Sequence, residues 1–353
     1  MTKKLSLLLL PIILLLAACA PQAATPAPTP KPVTLRLMTH DSFEISEDVL
    51  NQFTTETGIA VQVLKSGDGG AALNQAILAK DNPLADVFYG VDNTFLSRAL
   101  DNDIFVPYNS PELKNIPDNL KLDAQNRALP VDFGDVCLNY DKAYFANSPL
   151  NPPQSLEDLT DPAYANLTVV ENPATSTPGL AFLLATIGHF GTDSYLQYWA
   201  DLKANGVAVA DGWEDAYWGQ FSAASDGDRP IVVSYATSPA AEVFFAENPL
   251  DESPTAAVVG DGTCFRQIEF VGVLKGTKHP AEAHKLVDFM LGKTFQEDIP
   301  LNMWVYPANS TASLPDVFTK FSVIPQKPAT VSPEDIKKHR EAWLDEWTQT
   351  VLQ

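Results

Sequence analysis

The chain has 353 residues with 23 basic and 44 acidic side chains, a formal net charge of −21. Such an acidic surplus repels nucleic acid and anionic lipid headgroups, so neither is an expected partner. The length exceeds what one hydrophobic core usually supports and points to two lobes. At the start, Lys3 and Lys4 precede an apolar run from Leu5 to Leu16, which leads into Leu16-Ala17-Ala18-Cys19. A basic start, a short apolar core and small residues before a cleavage point predict a bacterial secretory signal over residues 1–18. The run is shorter than about 20 residues and contains Pro11, which disfavours a transmembrane helix.

The Leu-Ala-Ala-Cys run resembles the lipobox of bacterial lipoproteins. That resemblance implies acylation of Cys19 and an exported body lipid-anchored to the outer face of the cytoplasmic membrane, or periplasmic. The alternative is an ordinary signal peptide with an incidental cysteine. Residues 19–32, rich in Pro and Ala, are expected to form an extended tether. Beyond Cys19 only Cys137 and Cys264 remain. Outside the cytosol two such cysteines are commonly paired, so a disulfide is expected, with two buried thiols as the alternative.

Next come a predicted strand at Val33 to Met38, a helix near Glu47 to Glu56 with Ser46 as N-cap and Gly58 past its end, and a strand at Ile59 to Leu64. A glycine-rich loop, Gly67-Asp68-Gly69-Gly70, precedes a helix at Ala71 to Lys80 and a strand at Ala85 to Tyr89. Alternation at this pace predicts an α/β fold, a mostly parallel sheet with helices on both faces. In such sheets ligands gather beyond the strands' carboxyl ends, here His40 to Phe43, Gly67 to Gly70, and Asp92-Asn93. The segment Val131 to Tyr140 looks like a strand leaving a first lobe. A second series follows: strand Leu167 to Val170, helices Pro178 to Gly188 and Ser194 to Asn205, strand Ile231 to Ser234, and helix Pro239 to Phe245. Strand Gln267 to Leu274 is expected to return to the first lobe, with helices Ala281 to Leu291 and Thr294 to Ile299. Ser332 and Pro333 mark the start of a last helix reaching Leu352. The expected lobes are 33–135 plus 272–303, and 136–271 plus 304–353.

The turn Asn172-Pro173-Ala174-Thr175-Ser176-Thr177-Pro178 runs straight into an apolar helix, with Thr177 placed to cap it and Pro178 in its first turn. Such a helix start can hold a phosphate or carboxylate, or can simply be well capped. Ser234-Tyr235-Ala236-Thr237-Ser238-Pro239 repeats the pattern. Trp213, Tyr217, Tyr235, Trp304 and Tyr306 lie in turn-like contexts, where aromatic faces suit an organic cation at about 0.5 to 2 kcal/mol per contact. Core packing is the usual role of such rings. The five histidines show no metal-ligand spacing, and no phosphate-binding or hydrolase motif is present.

Six strings taken in order resemble the thiamine-binding proteins of bacterial ABC importers. They are Thr39 to Phe43, Ala85 to Asn93, Thr175 to Leu180, Gly212 to Tyr217, Ser234 to Pro239 and Trp304 to Pro307. The resemblance implies a type II periplasmic-binding-protein-like fold, each lobe a mixed sheet flanked by helices and hinged by crossing strands. It also implies a cargo of thiamine and its mono- and diphosphate, a permease and ATPase as partners, a monomer and no cofactor. Trp304 and Tyr235 would flank the ligand rings, with Trp213 and Tyr217 lining the cleft. Thr175, Ser176 and Thr177 would face the alcohol or phosphate end, joined by Thr237 and Ser238. His40, Asp41, Gly67, Asp68 and Gly69 would lie near the aminopyrimidine, and Asp92 and Tyr306 are further expected ligand-binding residues.

Some relatives carry tyrosine where this chain has His40, and a protonated imidazole would oppose a cationic ligand. Cys137 and Cys264 fall on the presumed crossing strands. Two other readings remain. One is a different cargo, ferric ion or a polyamine, although Tyr235 is followed by Ala236 and not by a second tyrosine. The other is a thiaminase-like enzyme with Cys137 as nucleophile beside Asp135, which a disulfide would exclude.

Overall fold

A computed structural model describes residues 33–353; the expected signal segment, the acylation site Cys19 and the tether lie outside the described residues. The first part alternates β1 (Val33–Thr39), α1 (Glu47–Thr57), β2 (Ile59–Lys65), α2 (Gly69–Leu78), β3 (Val87–Asp92) and α3 (Leu96–Asp101). β1 pairs in parallel with β2 along its whole length and with β3 at Leu37↔Val87. Leu35, Leu37 and Met38 of β1 are fully buried, as expected of a central parallel strand covered on both faces. Ser46 stands at the N-cap of α1 with no side-chain cap. Its hydroxyl and N–H both go to the Asp298 carboxylate at 2.9 and 2.8 Å.

After the short β4 (Phe105–Val106), the long β5 (Leu129–Asp141) crosses the molecule into a second series. It contains α4 (Lys142–Ala146), β6 (Thr168–Glu171), α5 (Thr177–Phe190), α6 (Tyr195–Ala204), β7 (Ala208–Ala210), β8 (Ile231–Tyr235), α7 (Ser238–Phe244) and β9 (Thr255–Val258). β10 (Phe265–Leu274) then runs back, antiparallel to β5 from Phe265↔Val136 to Val271↔Leu129 and to β3 from Glu269↔Asp92 to Val273↔Val87. β5 and β10 thereby fuse the sheets of the two halves into one mixed sheet, ordered β2-β1-β3-β10-β5-β8-β6-β7. α8 (Pro280–Leu291), α9 (Lys293–Asn302), β11 (Tyr306–Pro307), α10 (Asp316–Phe321) and α11 (Pro333–Val351) complete the chain. β11 pairs with β5, and α11 packs on α6 and α3, with Trp347 edge-on to Trp199 at 5.5 Å.

Three local expectations need correction. Gly69 and Gly70 are the first turn of α2, with Asp68 at its N-cap, and not a loop before it. The cap of α5 is Ser176, whose Oγ accepts from Gly179 N, and Thr177 is the first helical residue. β3 also begins later than expected and extends to Asp92, because its pairing with β10 continues to Glu269. α5 is buried on nearly all sides. A Cβ on Gly179 would stand 2.7 Å from the Glu171 carbonyl oxygen, so only glycine lets the helix start so close to the end of β6.

Candidate ligand-binding site

The carboxyl ends of β1, β2 and β8, the start of α5 and the turn after α9 converge on a cavity of about 700 Å³. Of the residues expected at a site, His40, Asp41, Asp68, Gly69, Thr177, Trp213, Tyr217, Tyr235, Thr237, Ser238 and Trp304 border it. Gly67, Asp92, Thr175, Ser176 and Tyr306 do not. Tyr306 is 5% exposed, hydrogen-bonds Ser322 and stacks on Phe133 at 5.4 Å, which is a packing role. Thr175 Oγ1 donates to the Asp211 carbonyl at 2.6 Å.

Two loops of the first half are tied together: Asp41 Oδ1 accepts from Gly67 N at 2.8 Å, and Asp41 N donates to Gly67 O at 3.0 Å. Asp68 then reaches into the second half, where its Oδ1 accepts from Thr177 N at 3.1 Å. Burial pushes the Asp68 carboxyl up, and the Thr177 N–H acts against that. These bonds use the donors of the α5 first turn. Thr177 N goes to Asp68, Pro178 has no N–H, Gly179 N goes to Ser176 Oγ and Leu180 N to the Ser176 carbonyl. The helix start that could take an external anion or simply be capped therefore holds an internal carboxylate.

The opposite wall is aromatic. Trp213 stacks on Tyr217 at 4.9 Å and 21°, with Trp218 edge-on to both. Trp213 Nε1 donates to Ser234 Oγ at 2.9 Å, Tyr217 OH to Glu242 at 2.6 Å and Tyr235 OH to Gln267 at 2.7 Å, so each ring is fixed in orientation by its polar end. Trp304 has φ +57, an uncommon state for a non-glycine residue that costs about 1 kcal/mol or more and clusters at functional sites. Thr237 Oγ1 donates to its carbonyl. The Trp304 ring packs against Phe318 at 5.8 Å and against Phe244 and Phe245 at 5.2 Å each.

The floor is charged. His40 Nε2 lies 3.3 Å from Glu269 Oε1, and Tyr89 OH donates to Asp132 Oδ2 at 2.5 Å and approaches Glu269 Oε2 at 3.1 Å. Glu269 and Asp132 are register partners on β10 and β5. Burial and the Glu269 charge push the Asp132 carboxyl well up. Burial opposes the charge of Glu269 as well, but the neighbouring His40, Tyr89 and Asp132 outweigh it and hold its pKa below the usual value. Beside them, burial lifts Asp92 to about 7 against hydrogen bonds from Thr94, Gln267 and Phe95 N.

Glu269 is the main residue that the sequence reading missed, together with Lys65, Trp218, Glu242 and Met303 on the cavity walls. The available signal was a lone acid between Ile268 and Phe270, at the head of the apolar run that ends β10. Glu171, after Val169-Val170, is a similar case. It is 1% exposed, and neither carboxyl oxygen has a hydrogen-bond partner among the described residues. Cys137 and Cys264 form a disulfide and are fully buried, which withdraws the thiol that the enzyme reading required. Among the described residues no group of three or more His, Cys, Asp or Glu could hold a metal ion.

A cavity set in one mixed sheet crossed by long antiparallel strands and walled by aromatic rings is a place to hold a small flat solute. The chain belongs to the bacterial extracellular solute-binding protein family, whose model matches residues 82–328, and it is extracytoplasmic. It is 31% identical to the thiamine-binding periplasmic protein of Escherichia coli over 96% of this chain and 97% of that one. A solved structure of a periplasmic thiamin binding protein superposes with a TM-score of 0.79 at 29% identity, covering 90% of this chain and 96% of that chain. Iron-bound HitA from Pseudomonas aeruginosa superposes at 0.73 with 21% identity over 90% of this chain and 99% of that chain. The last likeness concerns the fold alone, since one scaffold carries many cargoes.

Proposed function

We propose that this protein captures thiamine in the cleft and delivers it to an ABC permease driven by a cytoplasmic ATPase. The observation that carries the reading is the pairing of one wall of indole and phenol faces with a buried carboxylate, Glu269, on the floor. A flat aromatic cation without N–H groups on its charged ring needs both. The named cargo of the relatives supports the same choice. In this reading the two lobes expected from the sequence hinge at β5 and β10, and cargo favours the closed form by its difference in affinity for the two states. The bond from Thr177 N to Asp68 is a contact between the halves that closure would keep. A phosphate ester would have to displace Asp68 from the start of α5, so free thiamine is the preferred form. Acylated Cys19 would hold the body at the membrane.

Calorimetric titration with thiamine, its mono- and diphosphate, spermidine and ferric citrate tests the reading. Thiamine should bind one-to-one and most tightly. A stronger response to spermidine or ferric citrate would replace it.

A further inference from the structure

Six carboxylates line the cavity: Asp41, Glu44, Asp68, Glu214, Glu242 and Glu269. Asp41 is engaged by Gly67 N, Asp68 by Thr177 N, Glu44 by Lys65 and Glu242 by the Tyr217 hydroxyl. Glu214 is exposed to solvent. Glu269 is different, being a largely buried carboxylate whose cationic neighbour is a histidine, a group able to give up its charge. His40 Nε2 is itself buried and makes no hydrogen bond among the described residues. It approaches Glu269 at the edge of the cavity. A Cβ on Gly90, which has φ +103, would fall 2.5 Å from His40 Cδ2, so the glycine in β3 makes room for the imidazole.

We propose that Glu269 reads the positive charge of the cargo and that His40 holds its place beforehand, so that an organic cation entering the cleft drives a proton from His40 into solvent. The proposal rests on the thiamine reading and adds to it the residue that selects for charge. Two positive charges cannot share one buried carboxylate without strong repulsion, and of the two only the imidazolium can become neutral. The groups facing His40 fit this exchange. Asp41 is on its own loop, Glu44 and Lys65 pair with each other at the rim, Asp68 comes from the start of α2, Tyr89 and Asp92 from β3, Asp132 from β5 and Glu269 from β10. Burial works against the imidazolium, but Glu269, Asp68 and Asp41 together raise its pKa above the ordinary value. Those carboxylates favour the imidazolium before cargo arrives.

The test is calorimetry of the full chain with thiamine at pH 6 in MES and in imidazole, whose ionisation enthalpies differ. Thiamine binding should release protons, read as a binding enthalpy that differs between the two buffers. Affinity should then rise from pH 6 to pH 7 as His40 loses its charge. His40→Gln should abolish the release and flatten the pH profile. Glu269→Gln should lower thiamine affinity by at least about tenfold while changing little for the uncharged thiophene isostere, whose retained binding also shows that the variant is folded. Thiamine binding without proton release would overturn the proposal and leave the cargo assignment standing. Release that persists in His40→Gln, or equal loss of both ligands in Glu269→Gln, would also overturn it. Absence of thiamine binding at either pH would refute the cargo assignment and the proposal with it.

Discussion

Replacing Trp304 by alanine removes one ring face from the aromatic wall and leaves the rest of the cleft in place. The backbone at 304 stays at positive φ, held by the Thr237 hydroxyl on its carbonyl and by β11 immediately after it, so the fold should persist. Two losses combine. The cation–π contact is worth about 0.5 to 2 kcal/mol. An indole face covering on the order of 50 Å² of apolar ligand surface adds about 1 kcal/mol. Together they predict a loss of about 1.5 to 3 kcal/mol, or about 10- to 150-fold in thiamine affinity. Phe318, Phe244 and Phe245, which pack around the indole, cannot replace the missing face without moving. The assay is calorimetric or fluorescence titration of the variant, with thermal melting to confirm folding. An affinity within about twofold of the parent, in a folded variant, would remove Trp304 from the site and with it the argument that its strained backbone serves binding.

Replacing both Cys137 and Cys264 by alanine should cost about 2 to 5 kcal/mol of stability, since the bond closes a separation of 127 residues and the chain-entropy relation gives about 5 kcal/mol for a loop of that size. Chemical denaturation of oxidised and doubly substituted protein measures it, and equal midpoints would show that the bond contributes nothing. Glu171→Met should stabilise the protein by about 1 to 3 kcal/mol, because it removes a buried carboxyl with no hydrogen-bond partner. Burial pushes Glu171 well above its ordinary value, so the folded state holds a proton that the unfolded chain releases above about pH 4.3. The stability from that proton is complete below about pH 4.3 and is lost as pH rises towards the folded pKa. Melting temperatures between pH 4.5 and 7 should fall less steeply in the variant, and a variant less stable than the parent throughout would show that Glu171 has a favourable role in the fold.

The parts of the molecule legible in the sequence are those fixed by neighbours along the chain. Ser332 and Pro333 start α11, with Ser332 Oγ accepting from Asp335 N, and Gly58 ends α1 by donating to Thr54 O. The crossing strands were also visible, because Val131 to Tyr140 and Gln267 to Leu274 are long apolar runs with a few acids set into them. What those acids do depends on register between strands more than a hundred residues apart, as in Glu269↔Asp132, and no local pattern states it. The same limit hid the destinations of Ser46, whose hydroxyl goes to Asp298, and of Asp68, whose carboxylate goes to Thr177 N. Short elements stabilised by their partners were missed for a related reason. β9 and β11 add to the edges of β5, and the turn of π-helix at Asp215–Gln220 sets Tyr217 and Trp218 on the cavity wall.

Equilibrium dialysis of the exported chain against thiamine, followed by mass spectrometry of what the protein retains, bears most directly on the central assignment. Saturable retention of one thiamine per chain, recovered with its mass unchanged, is the expected result. A protein that retains none, or that returns the vitamin as separate pyrimidine and thiazole fragments, would contradict it.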